Sequence, residues 1–158
     1  MRNDEIDEEI LNSCDAIILS PGPGLPQEAG KMPRVISEYV YKKPFLGICL
    51  GMQALYLHFG GHLANMSEVM HGRAVNVNVN ADSTLFEGIH ESIEVGLYHS
   101  WYCEPQKLPK EFKVTAHFNG IPMAIEHRSL PVFGVQFHPE SIMTKEGGLL
   151  LLNWLRHV

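Results

Sequence analysis

The stretch PFLGICLGMQALYLHFGG, from Pro44 to Gly61, decides how the rest of the chain is read. Pro44 to Ile48 is an apolar run of strand length, and Leu50 to Phe59 reads as a helix that Gly60 and Gly61 end. Cys49 stands at the corner, with Gly47 two residues before it and Gly51 two residues after. A strand that turns sharply into a helix brings its own backbone close, so those two positions must be small. The helix that follows aims its positive end and free N–H groups at the sulfur, which favours the reactive thiolate. The Leu50 N–H is placed to hold an oxyanion. A buried, inert cysteine between two glycines fits the same five residues, because free cysteine is among the most buried residue types.

Working outward, Ala16 to Leu19 is a second buried strand, delivered into the loop Ser20-Pro21-Gly22-Pro23-Gly24. Gln27 to Tyr41 has apolar residues at helical spacing, so the first half alternates strand and helix. That is the signature of a parallel sheet covered by helices. From Arg73 the period changes to two, as in Ala74 to Val79, with further strand-like runs at Ile93–Tyr98, Lys113–Phe118, Met123–Glu126 and Val132–Phe137. These read as mixed or antiparallel additions to the parallel core. Gly147 to Val158 closes the chain as a helix docked through its leucines. No repeat or linker interrupts the 158 residues, so one domain is expected.

Composition narrows the function classes. The net charge is −6, from 18 acids against 12 bases, with no basic block, which argues against nucleic acid or an anionic membrane as partner. The three cysteines lack CxxC spacing, so neither a zinc site nor a redox dithiol is indicated, and a reducing cytoplasm is expected. The acidic start MRNDEIDEEI lacks the apolar core of a signal peptide, and no apolar run is long enough to span a bilayer.

Two other places carry chemistry. In Val135-Gln136-Phe137-His138-Pro139-Glu140 a strand ends in two titratable groups two positions apart, which share a face in extended chain. Pro139 stiffens that segment, so Glu140 could hold one imidazole nitrogen while the other faces a thiol. A turn bearing two solvated polar residues fits as well. The stiff, small loop Gly22-Pro23-Gly24 could bring backbone N–H groups to an oxyanion or carboxylate, or be a plain β-turn.

Taken together, SPGPG, GICLGMQ and FGVQFHPES resemble the class I glutamine amidotransferases, from Arg2 to the final helix. The resemblance implies a three-layer, flavodoxin-like α/β fold, a mostly parallel central sheet with added antiparallel strands. It implies Cys49 as nucleophile, His138 as base and later acid, and Glu140 as its orienter. Gly22, Pro23 and Gly24 would complete an oxyanion hole with Leu50, and Gln53, Ser100 and Trp101 would hold the glutamine backbone. No metal or organic cofactor is implied. SPGPG and Tyr98-His99-Ser100 look most like the small subunits of anthranilate and aminodeoxychorismate synthases, which hydrolyse L-glutamine and pass ammonia to a chorismate-using large subunit. The alternative is a catalytically silent binding module of such a synthase, or an amidotransferase of another pathway.

Two features depart from the family pattern. Trp101 replaces the smaller aliphatic residue usual after the His-Ser pair, which alters that wall. Family members also begin with a strand and helix of roughly thirty residues, ending in a segment similar to Arg2-Asn3-Asp4-Glu5, where this chain has its Met. The expected domain is therefore N-terminally truncated, its first βα unit absent. Loss of a central strand would leave both its neighbours unpaired, so residues 1–158 alone are expected to be marginally stable and weakly active.

Overall fold

The computed structural model describes residue 2, residues 4–80 and residues 82–158. Met1 and Asn3, the latter within the segment likened to the family's, lie outside the described residues. The alternating half folds as α1 (Glu8–Ser13), β1 (Ile17–Leu19), α2 (Met32–Tyr39), β2 (Phe45–Ile48) and α3 (Leu50–His58). The period-two half gives β3 (Leu63–Val79), β4 (Ser92–Cys103), β5 (Phe112–Phe118), β6 (Ile121–His127) and β7 (Val132–Val135), and α4 (Gly147–Leu155) ends the chain.

Helix α1 carries no apolar periodicity that would announce it, since it buries only Leu11. Its first turn is held by Asp7, which accepts the Glu9 N–H at 2.8 Å, and its end by a residue far along the chain, as the Lys43 ammonium donates to the Asn12 and Cys14 carbonyls. The single helix expected over Gln27–Tyr41 is broken. Pro26–Glu28 form a separate 3-10 turn, Gly30 takes a φ of 54°, and α2 begins only at Met32. Pro33 accounts for that start, because a residue without an N–H fits only in a helix's first turn.

The seven strands form one sheet in the order β1-β2-β7-β6-β5-β3-β4. Strands β1, β2 and β7 run parallel, with Ile17 beside Phe45 and Phe45 beside Val132. Every pairing from β7 outward is antiparallel, so the antiparallel extension exceeds the parallel core in extent. Alternation along the strands divides the core between two faces. Phe45, Ile125 and Val132 pack with Leu11, Ile36 and Leu55 of the first three helices. Leu46, Ala124 and Phe133 pack on the opposite face with Leu150 and Trp154 of α4. Helices therefore cover both sides, in three layers.

The opening in this sheet is one-sided. β1 pairs with β2 alone, Ile18 and Ile10 stand about half exposed, and a groove of about 760 Å³ runs along that flank. Among the described residues no strand lies beyond β1 on that flank.

At the other end, the β3–β4 hairpin is bent by irregularities between Asn65 and Met70 and between His71 and Arg73, where Gly72 takes a φ of 64°. The hairpin curls back toward α3 and the turn after β7. The Gly96 carbonyl accepts the His138 N–H at 3.2 Å, and the Trp101 carbonyl accepts from Gln53 at 2.9 Å, although β4 is last in the hydrogen-bonded order.

Burial holds the imidazoles of His58, His99 and His127 below their ordinary pKa of 6.5. The His127 Nδ1 also accepts the N–H groups of Ser129 and Leu130, at 3.1 and 3.0 Å, which protonation would forbid. Folded pKa values below the unfolded ones mean that the unfolded chain binds more protons in between. Stability is then complete above about pH 6.5 and falls as acid carries the chain down through the folded values. Urea midpoints should drop between about pH 7.5 and about pH 5.5, and His127→Gln should flatten that drop. A midpoint constant across this range would contradict the assignment.

Candidate active site

The elbow has the geometry that its glycines require. A Cβ on Gly47 would lie 2.5 Å from the Gly51 carbonyl carbon and 2.6 Å from the Met52 nitrogen. One on Gly51 would lie 2.6 Å from the Leu19 Cβ and overlap the Leu19 carbonyl. Strand β2, helix α3 and strand β1 thus meet at backbone distance. Cys49 sits at the corner with φ 52° and ψ −104°, a region that L-residues rarely occupy. Its N–H donates to the Val135 carbonyl at 2.7 Å, which fixes it beside the end of β7.

The sulfur is buried, with Cys49 only 6% exposed. Burial pushes the thiol up to about 11, whereas the Leu50 N–H and the Gln136 amide act in the opposite direction and the Glu140 charge adds to the rise. The helix terminus does favour thiolate, as the sequence argument holds, but loss of hydration outweighs it in the resting protein. The group that sits here is a thiol needing a base.

His138 and Glu140 meet. Past Val135 the chain leaves the strand and turns, with the Ser141 N–H donating to the His138 carbonyl at 3.1 Å, so the pair converges through a turn. The His138 Nδ1 donates to Glu140 Oε1 at 2.8 Å. A carboxylate accepts only, so Nδ1 carries a proton, and in the neutral ring Nε2 keeps its lone pair. That Nε2 is buried and without a hydrogen-bond partner among the described residues. Two contacts hold the turn: Thr144 Oγ1 donates to the His138 carbonyl at 2.7 Å, and the Tyr98 ring packs edge-on to the imidazole with centroids 4.9 Å apart. Gly147 belongs to this frame, because a Cβ there would overlap the Pro139 carbonyl.

Gly22, Pro23, Gly24, Cys49, Leu50, Gln53, Ser100 and Trp101 line one cleft of about 120 Å³, so the residues of three distant motifs converge. Gly22 packs on the Leu50 side chain and Gly24 takes a φ of 77°, which lays the proline-stiffened loop against the start of α3. His138 and Glu140 are not among the residues that line the cleft; Tyr98, which is, packs edge-on to the His138 ring. Tyr98, His99 and Gln136 are the site members whose contacts sequence reasoning did not supply. Gln136 had a signal: an amide inside the apolar run Val132 to Phe137, where a polar side chain must find buried partners.

These motifs in this geometry define an enzyme of one class. The chain belongs to the glutamine amidotransferase class-I family, which it matches along residues 1–158. It is 44% identical over 152 residues to anthranilate synthase component 2 of Haemophilus influenzae, covering 94% of this chain and 77% of that one. It is 41% identical over 157 residues to aminodeoxychorismate/anthranilate synthase component 2 of Bacillus subtilis, covering 98% and 80%. Among solved structures, a candidate GMP synthase subunit from Thermoplasma acidophilum superposes with a TM-score of 0.85 at 28% identity, over 98% of this chain and 77% of that one. No helix among the described residues is long and apolar enough to cross a membrane.

Proposed function

We propose that this chain is the glutaminase subunit of a chorismate-using synthase, and that Cys49, His138 and Glu140 are its catalytic residues. The observation that carries the reading is the buried Nε2 of His138, unpartnered among the described residues and opposite a Nδ1 held by Glu140. Nε2 takes the Cys49 proton, and the sulfur attacks the side-chain amide carbon of L-glutamine. The tetrahedral oxyanion rests on the Leu50 N–H and the Gly22–Gly24 loop. His138 then protonates the leaving nitrogen, the C–N bond breaks, and ammonia departs from a γ-glutamyl thioester. Water, deprotonated by the same nitrogen, cleaves the thioester to glutamate and restores the thiol.

Gln53, Ser100 and Trp101 form the wall that holds the substrate backbone. Ammonia passes to a large subunit making anthranilate or aminodeoxychorismate; the names borne by the relatives at 44% and 41% identity support that partner.

A glutamine-analogue electrophile tests the reading against a silent binding module. With the synthase subunit bound, it should label Cys49 stoichiometrically and leave Cys14 and Cys103 unmodified. Absence of labelling at Cys49 in the complex would favour the silent module.

A further inference from the structure

Gln136 follows directly on β7, is fully buried, and is pinned to β6 by its N–H, which donates to the Met123 carbonyl at 2.8 Å. Its side chain belongs to a polar chain whose sense is set at the far end. The Trp101 carbonyl can only accept, and it receives the Gln53 Nε2 at 2.9 Å and the His99 Nδ1 at 2.8 Å. Gln53 must therefore present nitrogen there. That same nitrogen donates to the Gln136 Oε1 at 3.1 Å. With its oxygen committed, Gln136 turns its own Nε2 to the Cys49 Sγ, at 3.5 Å. One carbonyl on the substrate wall thus fixes the orientation of two buried amides and brings a donor to the sulfur.

We propose that Gln136 is a positioning residue for the nucleophile: it holds the Cys49 sulfur with a donor that favours the thiolate, and through Gln53 it ties that donor to the Trp101 wall. The inference rests on the reading of Cys49 as nucleophile. A donor to sulfur stabilises the anion more than the thiol, and in a water-poor interior that difference is large. It acts against the burial that raises this thiol, without outweighing it in the resting protein. A merely space-filling amide would satisfy itself in the core without regard to the state of Cys49.

The test is the rate of iodoacetamide alkylation of Cys49 in the full chain, resolved site by site by mass spectrometry from neutral to alkaline pH. Cys14 serves as reference, and Cys103, fully buried, as a reporter of loosened packing. Gln136→Met keeps the shape and removes the donor. It should slow Cys49 alkylation about tenfold at each pH below the thiol midpoint, the effect of a one-unit rise in pKa, with Cys103 still protected. Gln53→Leu frees the Gln136 oxygen and lets the amide turn, so it should slow Cys49 less. The two together should slow it no more than Gln136→Met alone.

An alkylation profile for Gln136→Met that overlays the parent's would overturn the proposal, as would faster labelling of Cys49 together with Cys103. If Gln136→Met does not fold, Gln53→Leu decides: an unchanged Cys49 rate refutes the coupling and a slowed one supports it. Glutamine turnover is measured separately. Slowed alkylation beside turnover that survives loss of Cys49 would leave the positioning role standing while removing the catalytic reading.

Discussion

Replacing Cys49 with alanine should lower partner-stimulated glutamine hydrolysis by roughly 10⁴- to 10⁶-fold, the scale on which enzymes with a nucleophile, base and orienter respond to loss of the nucleophile. On the proposed mechanism the change removes the atom that forms the thioester, and among the site's neighbours it takes a hydrogen-bond partner from Gln136. The Leu50 N–H, the Gly22–Gly24 loop and the His138–Glu140 pair do not depend on the sulfur for their positions. Alanine adopts the corner's φ of 52° at no greater strain than cysteine. Stability should fall by about 1 to 3 kcal/mol, the cost of leaving the buried Gln136 amide without its sulfur partner, which leaves the protein folded, so the loss reads as chemistry. Glutamate release, with urea melts on the same preparations, checks both halves. Turnover within tenfold of the parent would remove Cys49 from the mechanism.

Gly51→Ala should prevent folding, although in an exposed helix that change stabilises by about 1 kcal/mol. Here propensity loses to overlap. The added Cβ would stand 2.6 Å from the Leu19 Cβ and closer still to the Leu19 carbonyl, and neither can yield without separating α3 from β1. A conflict between backbone segments belongs to the rare substitutions that cost more than about 4 kcal/mol, against a total of about 5 to 15 kcal/mol for a domain. Gly148→Ala in α4 is the internal control, because nothing lies within 4 Å of its added Cβ. It should leave the melt unchanged or raise it. Circular dichroism and urea denaturation separate the cases, and a folded Gly51→Ala protein with a parental midpoint would contradict the elbow geometry.

The elbow and its two strands are legible in the sequence because their constraints are local. A run of strand length, two glycines and a helical pattern can each be read without knowing what lies across the fold. The same holds for His138 and Glu140, although the pair meets through a turn where the spacing suggests extended chain, since the Ser141 N–H closes back on the His138 carbonyl. Less visible is what depends on partners remote in sequence. β3 runs from Leu63, well before its alternation begins at Arg73, because pairing with β4 holds the irregular Asn65–Met70 portion in the sheet. Helix α1 is held by Asp7 and Lys43 and has no apolar stripe to betray it. The protonation of Cys49 differs from the sequence expectation for a related reason: the helix terminus shows in sequence, and the burial that outweighs it does not.

The central claim is that this chain supplies ammonia through Cys49 to chemistry performed elsewhere. It is tested most directly in the complex of the Cys49→Ala protein with its synthase subunit, offered L-glutamine or an ammonium salt. The account predicts that glutamine supports no synthase product while ammonium supports as much as with the parent protein. Product formed from glutamine at the parent rate would contradict it.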